Sequence, residues 1–134
     1  MTRALEIAAE AQVYASEARF DDALALMPRA LSETDEFLWR RPQILRLRAD
    51  LLAQSKTNDD EIEAAFHEAA QFARDREAKY DQLQTTIHFA RWLQSKGRST
   101  DAREMLAEIY NWFTEGFDTA DLKDAKTLLD QLSS

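Results

Sequence analysis

Small and apolar side chains recur along this chain with helical spacing. Ile7, Ala11, Tyr14 and Ala18 follow one another at i, i+4, i+7 and i+11, and Ile62, Phe66 and Ala69 do so at i, i+4 and i+7, while charged residues occupy the other faces. Leu122, Ala125, Leu128, Leu129 and Leu132 make a further stripe, with Lys123, Asp124 and Lys126 outside it. The pattern predicts helices near 3–17, 20–34, 41–56, 60–77, 79–97, 100–115 and 119–132. No segment reads as a convincing strand.

Local chemistry marks the predicted boundaries. Asn58 with Glu61, and Asp101 with Glu104, resemble capping pairs in which a side chain meets the orphan amides of a first turn. Pro42 fits the first turn of its helix. Gly97 is placed to end one helix and Gly116 the next, with Phe117 supplying the apolar contact that accompanies such a cap. Pro28 falls inside the second predicted helix, so a kink or a break into two pieces is expected there.

The segments also repeat. Ala11, Ala49 and Ala90 share one register, about forty residues apart, and each is followed three positions on by a large side chain: Tyr14, Leu52 and Leu93. Ala23, Ile62 and Ala102 begin a second register, continued by Met27, Phe66 and Leu106 and then by Ala30, Ala69 and Ile109. A small residue at a fixed slot lets two helix axes approach, and its large neighbour fills the adjacent groove, so the repeating unit is read as an antiparallel helical hairpin.

Composition narrows the picture further. The chain has 134 residues, 17 basic against 25 acidic side chains for a net charge of −8, no Cys, and only two Gly and two Pro. That length suits a single domain, 1–134, and the scarcity of turn residues favours an all-α fold over a small β-barrel or sandwich. Without Cys there is no disulfide, thiolate zinc site or Cys nucleophile. With two glycines there is no Gly-rich phosphate cradle. Glu6, Glu10 and Glu17 interrupt any apolar leader, and no uncharged stretch is long enough to span a bilayer; a cytoplasmic protein without membrane contact is expected.

These residues resemble the tetratricopeptide repeat, in a long-helix variety like that of maltose-regulator-type bacterial signalling ATPases. The segments from Ala11 to Ala30, Ala49 to Ala69 and Ala90 to Ile109 carry the likeness. Residues 80–132, above all the block YNWFTEGFDTADLKDAKTLL, resemble the C-terminal end of large bacterial proteins. Those proteins join a nucleotide cyclase or DNA-binding region to a predicted ATPase and a helical-repeat sensor region. The resemblance implies a solenoid of three hairpins (3–36, 41–77 and 79–116) closed by a capping helix at 119–132. It also implies a regulatory or binding role, with the chain either self-standing or part of such a larger protein.

In tetratricopeptide arrays the first helix of each hairpin lines a concave groove. Counting from the small residues places Gln12, Gln43, Arg46, Asp50, Gln84, Ile87, Arg91 and Gln94 toward it. The expected partner is a protein or peptide segment, a carboxylate of which Arg46 and Arg91 would hold, or a second copy of the chain. A small metabolite bound in the groove is the alternative.

Catalytic, metal and cofactor chemistry is not expected. His67 and His88 lie on different predicted helices; Glu63 with His67, and the run Asp59-Asp60-Glu61, read as a surface pair and a helix-start cluster. Trp39, Trp92 and Trp112 with Phe89, Phe113 and Phe117 read as core or as packing between repeats. Arg40, Arg41, Arg46 and Arg48 form a basic patch, but the −8 balance and nearby acids argue for an internal charge network or a peptide-carboxylate contact and against nucleic acid.

Overall fold

The computed structural model describes residues 3–35, 38–56, 58–114, 116 and 119–133. All regular structure among them is helical: α1 (Arg3–Ser16), α2 (Phe20–Ala25), α3 (Met27–Ser32), a 3-10 turn (Leu38–Arg40), α4 (Arg41–Gln54), α5 (Asp59–Asp75), α6 (Lys79–Ser95), α7 (Ser99–Tyr110) and α8 (Ala120–Leu132). The chain divides into two compact units, Met1–Phe72 and Ala73–Ser134, with the boundary inside α5.

In the first unit α1 packs on α2 and α3, and α4 packs on all three. Pro28 has no N–H for the carbonyl of Leu24 one turn back, and the expected long second helix is accordingly divided at Leu26 into α2 and α3. The core of this unit joins Ile7 and Ala11 of α1, Ala23 of α2, Met27 and Ala30 of α3, and Ile44 and Leu51 of α4. In the second unit α6 pairs with α7, and α8 packs on both. Its stripe Leu122, Ala125, Leu128 and Leu132 is buried.

The residues that anchor the two repeating registers are buried, and of the large side chains that follow the first, Leu52 and Leu93 are buried and Tyr14 half-buried. Ala11, Ala49 and Ala90, with Ala23, Ile62, Ala102 and their continuations Met27, Phe66, Leu106, Ala30, Ala69 and Ile109, are at most 3% exposed. The turns repeat as well. Ala18, Lys56 and Gly97 stand at one common distance after Ala11, Ala49 and Ala90, and each has a left-handed backbone, with φ of 60°, 56° and 76°. At two of these turns the next amide reaches back across the helix end, Arg19 N to Tyr14 O and Arg98 N to Leu93 O, both at 2.9 Å. The same closure ends α5, where Glu77 has φ 57° and Ala78 N donates to Ala73 O at 2.9 Å.

Two boundary expectations are corrected. Asn58 does cap α5, accepting from the Asp60 amide at 2.7 Å. Asp101, however, is not a cap: α7 begins at Ser99, and Asp101 instead accepts from Arg98 Nε at 3.1 Å. Gly116 does not end α7, which stops at Tyr110; beyond that end the Phe113 ring lies 5.1 Å from the Tyr80 ring. Gly116 sits in the turn before α8, where its φ is +77° and an added Cβ would stand 3.0 Å from the Tyr80 hydroxyl. Phe117 lies outside the described residues.

Candidate functional site

In the first unit Gln12 of α1 and Gln43 of α4 are exposed, and Arg46 and Asp50 are half-buried. Gln43, Arg46 and Asp50 share one face of α4, being spaced i, i+3 and i+7. In the second unit Gln84, Ile87, Arg91 and Gln94 likewise share one face of α6. Their environments differ along it. Gln84 donates from Nε2 to Asp121 Oδ2 of α8 at 3.1 Å and so ties the two helices together. Ile87 is 4% exposed and packs rather than offering itself to solvent. Arg91 is exposed and Gln94 half-buried.

The arginine patch is largely engaged within the first unit. Arg41 Nε donates to Thr34 Oγ1 at 2.9 Å, and its Nη2 reaches the Leu31 carbonyl at 3.3 Å and pairs with Asp35. The Thr34 hydroxyl donates to that same carbonyl at 2.6 Å. One guanidinium thus satisfies the C-terminal end of α3, where unmet carbonyls favour a cation. Arg40 lies over the Trp39 ring at 4.2 Å, and Arg48 Nη1 reaches Glu68 Oε1 on α5 at 3.5 Å. Arg41 also faces the Phe72 ring at 5.9 Å across a cavity of about 290 Å³ that Leu31, Leu45 and Glu68 help to line.

His67 and Glu63 stand 3.8 Å apart on one exposed face of α5. No group of three or more His, Asp or Glu side chains able to hold a metal occurs among the described residues. On α8 the Lys126 ammonium has its pKa raised by its hydrogen bond to Asp130 and by that carboxylate's charge, a surface effect within one helix. No helix among the described residues is long and apolar enough to cross a membrane.

The aromatic residues divide between core and surface. Phe89 and Trp92 are buried with ring centroids 6.3 Å apart. Trp39 and Trp112 are instead exposed, against the expectation that they lie in the core or pack between repeats. Trp112 lines a cavity of about 470 Å³ with Arg74, Glu77, Lys79 and Gln82, all within the second unit. Sequence reasoning missed this group. Nothing in the spacing of Arg74, Glu77, Lys79 and Gln82 points to a tryptophan that arrives from beyond the end of another helix.

The chain matches no protein-family model and no curated protein.

Proposed function

We propose that this chain is a non-catalytic helical-repeat module, tetratricopeptide-like in kind, that acts in the cytoplasm as a binding or regulatory part of a bacterial signalling or transcription ATPase system. It takes a protein or peptide segment, or a second copy of itself, on the first helices of its repeats. The observation that carries this reading is the recurrence of the buried registers together with the left-handed closures at Ala18, Lys56 and Gly97. Three helix pairs built on one template are what a stacked array requires, since each unit buries its apolar face against a neighbour and leaves polar helix faces outward as an extended surface.

The polar faces of α4 and α6 suit that role chemically. Gln43, Arg46, Arg91 and Gln94 are long hydrogen-bonding side chains, and an arginine fork meets a peptide carboxylate through two parallel bonds of about 1.5–3 kcal/mol each where water is partly excluded. A partner recovered with the purified chain tests this. Arg46→Ala with Arg91→Ala should weaken its binding at least about tenfold, equivalent to 1.4 kcal/mol, with the fold intact by circular dichroism. Undiminished affinity would move the binding surface elsewhere.

A further inference from the structure

The turn between α5 and α6, together with Trp112 just beyond α7, forms the cavity of about 470 Å³ described above, a volume within the range of small-molecule sites. Trp112 is 39% exposed and leaves part of an indole uncovered. Gln82 lines the cavity while only 2% exposed, and no hydrogen bond from its side-chain amide occurs among the described residues, so the amide is available to a molecule in the cavity.

Charge makes a third contribution. Arg74 and Lys79 line the cavity without an ion-pair partner among the described residues. Lys79 opens α6, whose N-cap Ala78 offers no side-chain acceptor, so the positive dipole end of a 17-residue helix, with Asp81 in its first turn, lies at the same place. Against these stands the carboxylate of Glu77. The lining itself thus carries two cations and one carboxylate on a chain of net charge −8, which would otherwise repel an anion.

We propose that this cavity binds a planar organic anion, an aromatic ring bearing a carboxylate or phosphate. The ring lies against Trp112, the anionic group between Arg74 and Lys79, and a ring carbonyl or N–H meets the Gln82 amide. The site uses none of the residues Gln43, Arg46, Arg91 and Gln94 and does not depend on the role proposed for them.

The test is a titration of the full chain followed in proton–nitrogen correlation spectra at the Trp112 indole and the Gln82 side-chain amide. The probes are adenosine monophosphate, indole acetate, inorganic phosphate and uncharged indole. A saturable shift of both signals is expected with at least one of the two ring-bearing anions, and affinity for phosphate or indole alone at least about tenfold weaker. Response to the nucleotide alone identifies a phosphate ligand, and response to indole acetate alone a carboxylate. Trp112→Ala and the double variant Arg74→Gln with Lys79→Gln should each weaken binding about tenfold or more. The double variant alters only exposed side chains, so it decides the matter should Trp112→Ala fail to fold. No shift at millimolar ligand, an equal response to phosphate alone, or binding untouched by the double variant would overturn the proposal.

Discussion

The Arg98 guanidinium, on the residue that precedes α7, donates through Nε to the Asp101 carboxylate at 3.1 Å. Arg19 and Asp22 hold the same relation at the start of α2, at 2.8 Å. Arginine at an N-cap has no acceptor for the first amides, and the aspartate three residues on places its negative charge beside the positive end of the helix and fixes the cation that precedes it. Both pairs are exposed, so each contributes only about 0.2–1 kcal/mol and less in high salt. Asp22→Asn and Asp101→Asn should each lower stability by under about 1 kcal/mol in urea denaturation, with the loss shrinking as ionic strength rises.

The left-handed residue at Ala18 gives a prediction of opposite sign. A non-glycine residue there costs about 1–2 kcal/mol of backbone strain, while glycine costs about 0.5–1 kcal/mol more entropy on folding. Ala18→Gly should therefore stabilise by about 0.5–1 kcal/mol, and Gly97→Ala, where nothing lies near the added Cβ, should lose a similar amount through backbone alone. Paired urea curves check both signs.

Ala11, Ala49 and Ala90 are each fully buried where helices approach closely. Ala→Leu at each site should overpack the contact and cost about 1–3 kcal/mol in thermal or chemical unfolding. Neutral results at all three would show that the register does not govern helix approach.

Within the second unit, Leu122, Ala125, Leu128 and Leu132 bury one face of α8, which packs on α6 and α7. Leu122→Ala should cost about 2–5 kcal/mol. Removing residues 118–134 should uncover Leu106 and Ile109 and drive association, visible as higher-order species in light scattering. A monomeric truncated chain of unchanged stability would deny α8 its covering role.

Much of the helical plan was legible because burial and helical period coincide at the repeating alanines, and because Pro28 and Pro42 act through the backbone alone. The end of α7 was not, since the apolar spacing from Ile109 to Phe113 continues the helix, which stops at Tyr110 with Phe113 beyond it against Tyr80. Ile87 shares a stripe with Gln84 and Arg91, yet only packing closes it to solvent. The cavity at Trp112 was hidden for a related reason. Its lining comes from two helix ends that no local periodicity connects, and the near-complete burial of Gln82 is not something a polar letter in a sequence reveals.

The role given to the polar faces of α4 and α6 is tested most directly by site-specific photo-crosslinking in living cells. A photoreactive residue is placed in turn at Gln43, at Arg91 and, as a control on a second helix, at Arg103, all exposed. The proposed function predicts covalent adducts, with a partner or a second copy of the chain, from Gln43 and Arg91 and none from Arg103. Adducts absent from both first-helix positions, or equally abundant from Arg103, would contradict it.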